Sequence, residues 1–113
     1  MYPKIVESLK KVLDEHKVEE IQVLDLKSTN PFTDYYLIGT VNNERQLLAI
    51  GDYIEEEVDK EGLEVLHKEG TGDSGWVIYD CGEVIVHLFI SAVRQEINLE
   101  ELIEEVVSRK SKE

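Results

Sequence analysis

Apolar residues recur with two different periods along this chain, and the switches between them mark its elements. Ile5, Leu9, Val12 and Leu13 share one face at helical spacing, with Glu7, Lys10, Lys11 and Asp14 outside, which predicts an amphipathic helix at the start. Pro3 suits its first turn, where a missing N–H is no loss. Residues 21–26 and roughly 34–40 read as strands, separated by the turn composition Ser-Thr-Asn-Pro at 28–31. Asn43 opens the clearest helix, with Gln46 completing an approximate capping box; Leu47, Ile50, Ile54 and Val58 form its buried stripe and Gly62 ends it. A third strand at 63–67 leads to a flexible loop over 68–75. Asn98 and Glu101 cap a last helix striped by Leu99, Leu102, Ile103 and Val106, and residues 109–113 are expected to fray.

Between the loop and the last helix, residues 76–90 alternate as two strands of a hairpin. With Cys81 and Gly82 as its two loop residues, Asp80 faces Glu83, Tyr79 faces Val84, Ile78 faces Ile85, Val77 faces Val86, and Trp76 faces His87. One face then carries Trp76, Ile78, Asp80, Glu83, Ile85 and His87; the other carries Val77, Tyr79, Val84, Val86 and Leu88. The second set has the composition of a core, so Tyr79 and Val86 support the hairpin from inside. The first set mixes a large aromatic, an imidazole, isoleucines and carboxylates, as recognition surfaces do. The whole order predicts an α/β (α+β) fold in one domain, residues 1–113: a mixed five-stranded sheet with helices packed on it. The helix between strands two and three should make those strands parallel neighbours through a right-handed crossover, with strands four and five antiparallel.

Composition narrows the partners. The chain has 113 residues, 42% of them hydrophobic, enough for one core without disulfides or metal. Its 25 acidic residues against 12 basic ones give a net charge of −13, which repels phosphate backbones and favours basic proteins as partners, besides keeping the chain soluble. With one cysteine, Cys81, no internal disulfide can form, and a reducing compartment fits. The N-terminal residues lack a signal-peptide pattern and no apolar run approaches a membrane span, so a cytoplasmic location is expected.

Candidate chemistry is sparse. Gly-Thr-Gly-Asp-Ser-Gly at 70–75 matches G-x-G-x-x-G literally, but a strand follows it where a phosphate-binding helix should begin, and Asp73 would face the phosphates. Asp80 and Glu83 facing each other across a turn could hold a divalent metal, with Asp25 and Asp34 joining only if the sheet brings them near; two solvated carboxylates at a hairpin end are the plainer reading. His16, His67 and His87 have no metal-ligand spacing, and no Ser or Cys nucleophile has a recognisable base. Arg45 and Arg94 read as surface or capping cations. His87 fits either a buried hydrogen-bonded histidine or a contact residue; Trp76 fits either an interface anchor or a core aromatic.

The segment Trp-Val-Ile-Tyr-Asp-Cys-Gly-Glu-Val-Ile-Val-His at 76–87 resembles the hallmark of the ribosomal silencing factor (Iojap-like) family, a Trp leading to Asp-x-Gly-Asp and Val-x-Val-His. Further elements fall in order: Val-Leu-Asp-Leu at 23–26, Thr-Asp-Tyr at 33–35, Glu-Arg-Gln at 44–46, Gly62-Leu63, Glu69-Gly70, Arg94, and Asn-Leu-Glu at 98–100. Glu83 stands where Asp is usual, and Ile97 and Ile103 where members often carry Tyr and Trp. The resemblance implies a nucleotidyltransferase-like fold without that superfamily's catalytic Gly-Ser signature, no enzymatic activity, no cofactor and no metal, and often a homodimer. It also implies translation repression by binding the large ribosomal subunit through ribosomal protein L-fourteen, which sterically blocks subunit joining. Trp76, Asp80, Glu83, Ile85 and His87 are then the expected partner-binding residues, the two carboxylates meeting Lys or Arg. The rival expectations are a metal-dependent nucleotidyltransferase relative using Asp80 and Glu83, and an adaptor for another basic protein.

Overall fold

The computed structural model describes residues 2–28 and 33–96; the expected last helix and the frayed end lie outside the described residues. Helix α1 (Lys4–Glu15) begins after Pro3 and buries Ile5, Val6, Leu9 and Leu13. Strand β1 (Glu19–Asp25) runs antiparallel to β2 (Tyr35–Val41). Helix α2 (Glu44–Lys60) is capped as expected, the Asn43 side chain accepting from the Gln46 N–H at 2.8 Å. The Gln46 side chain in turn accepts from the N–H of Asn42 at 2.9 Å. Strand β3 (His67–Glu69), a 3₁₀ turn (Gly72–Ser74), β4 (Trp76–Asp80), β5 (Val84–Ile90) and the short helix α3 (Ser91–Arg94) follow.

The strands form one mixed five-stranded sheet in the order β1-β2-β5-β4-β3. All seven residues of β2 are buried, which its near-continuous apolar sequence requires of a central strand covered on both faces. On one face α1 and α2 pack over Leu37, Val77, Tyr79, Val84, Val86 and Leu88. On the other, Leu26, Tyr36, Ile38, Ile78, Ile85 and Phe89 make a second cluster with Leu24, Trp76 and Val93.

Two expectations are corrected here. Strands two and three are not neighbours: β2 pairs in parallel with β5 over seven residues, from Tyr35↔Val84 to Val41↔Ile90, while β3 pairs only with β4 at the far edge. Successive antiparallel pairings still leave β2 and β3 pointing the same way. The long apolar β5 displaces β3 from that place because its burial against β2 is worth far more than that of a three-residue polar strand. The third strand also starts later than expected, at His67, leaving Leu63 and Leu66 outside it and 44% and 61% exposed.

Tyr79 shows how tightly the helical face is packed. A Cβ on Gly51 of α2 would overlap the Tyr79 hydroxyl and lie 2.9 Å from its Cζ. The hydroxyl is buried with no hydrogen-bond partner among the described residues, and burial, with Glu55 and Asp52 nearby, pushes its pKa up to about 12. In an open helix a Gly→Ala change stabilises by about 1 kcal/mol. At Gly51, overpacking of roughly 1–3 kcal/mol should outweigh that, so Gly51→Ala melts below the wild type. Tyr79→Phe, which deletes the unsatisfied hydroxyl, should hold or raise the melting temperature and recover part of the loss in the double variant. Thermal melts of the three variants check this, and a stabilised Gly51→Ala would contradict the packing.

Candidate functional site

The β4–β5 hairpin keeps the two expected faces but not the expected pairing. Trp76 lies opposite Phe89, Val77 opposite Leu88, Ile78 opposite His87, Tyr79 opposite Val86 and Asp80 opposite Ile85. The Cys81 N–H donates to the Val84 carbonyl at 3.0 Å, so the two loop residues are Gly82 and Glu83. Gly82 takes φ +86° at the first central position, where a type II′ turn calls for glycine. Moving the loop by one residue moves the register by two, and a shift of two leaves every side chain on its own face.

The turn is fastened from several sides. The Asp80 carboxylate accepts from the Gly82 N–H at 2.9 Å. The Glu83 carbonyl accepts from the N–H groups of Asp34 and Tyr35 at 3.1 and 3.0 Å, tying the turn to the start of β2. Asp80 and Glu83 therefore do not face each other: Asp80 is 7% exposed with one oxygen on its own turn, and Glu83 points out from the loop. The facing pair that suggested a metal site is absent, and among the described residues no group of three or more His, Cys, Asp or Glu is placed to hold an ion. Burial raises the Cys81 thiol to about 12, with Asp80 adding to the shift, so it is not a ready nucleophile.

At the other end of the hairpin, Trp76 is part-buried and anchored twice. The Ser74 hydroxyl lies 2.8 Å from the Trp76 carbonyl oxygen and 2.7 Å from that of Thr71, and its single proton serves one of them at a time. The Trp76 N–H donates back to the Ser74 Oγ at 3.3 Å. The Gly-rich segment, expected as a loop, contains a 3₁₀ turn whose Ser74 holds the start of β4. The indole packs on Phe89, ring centroids 5.1 Å apart, and its Nε1–H donates to the His87 Nδ1 at 3.2 Å. His87 is fully buried, with the Tyr36 ring 4.5 Å away. Because Nδ1 accepts, the imidazole is neutral with its proton on Nε2, an atom that is buried without a hydrogen-bond partner among the described residues. Burial lowers the His87 pKa to about 3. Arg94 closes this end of the sheet, donating to Thr40 Oγ1 at 3.0 Å and to Gln22 Oε1 at 3.3 Å, while Arg45 is exposed.

Of the expected contact residues, only Trp76 and Glu83 offer substantial surface. Ile85 (1% exposed) and His87 (0%) lie inside, because β5 is flanked by strands on both sides and stacked over by aromatic rings. Both open alternatives at this site close on one arrangement: His87 is a buried hydrogen-bonded histidine, and Trp76 sits at the rim between core and surface. Tyr79 and Val86 pair on the helical face, both fully buried. Ser74 and Phe89 escaped the sequence reading. The Thr-x-x-Ser spacing at 71–74 ahead of a Gly was the available sign for Ser74, and placing Gly82 first in the turn would have found Phe89.

The family model "Ribosomal silencing factor during starvation" matches residues 2–113. The chain belongs to the ribosomal silencing factor family. It is 36% identical to the ribosomal silencing factor RsfS of Bacillus subtilis over 89 residues, 79% of this chain and 75% of that protein. It is 33% identical to that of Haemophilus influenzae over 98 residues, 87% and 96% of the two. A crystal structure of a Chromobacterium violaceum protein superposes with a TM-score of 0.81 at 25% identity, covering 89% of this chain and 84% of that one. The family name gives a ribosome-associated role in silencing translation. Among the described residues no helix is long and apolar enough to cross a membrane.

His87 gives this silencing factor a measurable pH signature. Its pKa is depressed on folding, so the unfolded chain takes up a proton first; stability is full above about pH 6.5 and falls as pH drops toward 3. Between pH 7 and 5 this one group should remove about 2 kcal/mol. Chemical denaturation of the wild type and of His87→Leu at both pH values should show the variant losing less by about that amount; equal losses would contradict a buried neutral imidazole.

Proposed function

We propose that this silencing factor binds the large ribosomal subunit through ribosomal protein L-fourteen and sterically prevents the small subunit from joining, acting in the cytoplasm without catalysis. The observation that carries the reading is Trp76: a large aromatic held at the edge of a buried face on a chain of net charge −13. Half-buried aromatics in fixed orientations are the residues that dominate interface energies, and an acidic body suits a basic ribosomal protein while repelling bare RNA. Glu83, exposed on the hairpin turn, meets a Lys or Arg of the partner; Asp80, Ile85 and His87 shape the face from beneath. Long-range charge raises the association rate, and the aromatic and its apolar surroundings supply most of the affinity. The homodimer implied by the resemblance belongs to the same reading, and sedimentation velocity of the free protein checks it.

Co-sedimentation with purified large subunits tests the proposal. The wild type should pellet with them, and Trp76→Ala should bind about thirtyfold more weakly, the loss of roughly 2 kcal/mol typical of a central interface aromatic. Raising salt should weaken binding mainly through slower association. A wild type that stays in the supernatant removes the reading, and equal binding by Trp76→Ala removes the residue.

A further inference from the structure

His87 has a chemistry that core stability does not explain. It sits mid-strand in β5, opposite Ile78 in β4 and beside Ile38 in β2, with no exposed surface. Its ring lies against Tyr36 at 4.5 Å and stacks with Phe89 at 6.3 Å and 8°. One nitrogen, Nε2, is buried with no hydrogen-bond partner among the described residues, a destabilising arrangement that leucine at the same place would avoid. The other, Nδ1, accepts the Trp76 indole proton. That acceptor is the one thing an apolar residue could not supply.

We propose that His87 is a positioning residue for Trp76, its rigidly held Nδ1 fixing the indole in the orientation that meets the partner; this rests on the docking reading above. The backbone of Trp76 is already fastened through Ser74, so the two side-chain torsions are the freedom that remains. Phe89 at 5.1 Å supports the indole ring but fixes no direction for its N–H. The bond to Nδ1 sets both torsions at once. It reaches diagonally, because Trp76 is paired with Phe89 and His87 with Ile78. Among the described residues the rings of Tyr36, Trp76 and Phe89 surround His87, and burial holds its pKa low, so the imidazole stays neutral and its acceptor stays available across the physiological range. Without the acceptor the indole spreads over about three χ1 wells and two χ2 orientations, and the binding-competent fraction falls accordingly. Affinity should then drop about three- to sixfold, well short of the loss on removing the aromatic altogether.

The chain has one tryptophan, so its indole N–H gives a single resonance in a ¹⁵N–¹H spectrum. In the wild type, ¹⁵N shifts of His87 should place the proton on Nε2 from pH 7.5 to 5. In His87→Leu the indole resonance should move upfield and exchange faster with water, with affinity for purified large subunits reduced about three- to sixfold and the melting temperature held or raised. His87→Asn, whose amide oxygen can occupy the place of Nδ1, should restore the resonance and the affinity. A proton found on Nδ1, or an unmoved indole resonance in His87→Leu, overturns the proposal. So does a His87→Leu that binds as the wild type does. If His87→Leu does not fold, the wild-type tautomer and indole exchange decide. A wild type that fails to bind removes the docking reading and with it the purpose of the bond, whereas normal wild-type binding with an indifferent His87→Leu removes the positioning role alone.

Discussion

The parallel ladder between β2 and β5 holds the sheet together. Among the described residues it is the pairing that joins two antiparallel units, β1-β2 on one side and β5-β4-β3 on the other. Forming it requires the chain to run through α2, the edge strand and the hairpin before its last described strand can lie beside its second. Both partners are apolar along their length, so the pairing buries them on both faces and makes two cores necessary. α1 and α2 fill one core. The other surrounds His87, which is why an ionisable side chain ends up neutral in the middle of the sheet.

What could be read in the sequence was whatever depends on local periodicity. Both described long helices, the capping Asn43, the buried stripe of α2 and the two faces of the hairpin follow from residues a few positions apart. Strand order did not, because β2 and β5 are separated by more than forty residues and the strand expected at 63–67 was the more local candidate. The hairpin register was missed by two residues because glycine suits either central position of a tight turn, and only the Cys81 N–H bond to the Val84 carbonyl places Gly82 first. Membership of the two faces survived that error because an even shift preserves alternation.

The site was legible in its members more than in their roles. Trp76, His87, Asp80, Glu83 and Ile85 do lie along one hairpin, yet burial divides them into a covered set, Asp80, Ile85 and His87, and an accessible set, Trp76 and Glu83. Periodicity cannot make that division, since it says which residues share a face and not whether the face is covered. The Gly-rich segment shows the converse. Its resemblance to a phosphate loop pointed nowhere, and its use became visible only when Ser74 was seen bonding to the backbone of Trp76. On the docking reading proposed above, the tasks are separate: dispersed acidic charge serves approach, one oriented aromatic serves affinity, and a buried polar contact keeps that aromatic in place.

Steric exclusion of the small subunit, as proposed above, can be followed in a joining assay. Purified large subunits are incubated with the wild-type protein, small subunits are added, and light scattering follows formation of the joined ribosome. Joining should fall in proportion to the large subunits occupied, and more when the protein is added before the small subunit than after it. Undiminished joining by large subunits that demonstrably carry the protein would contradict steric exclusion.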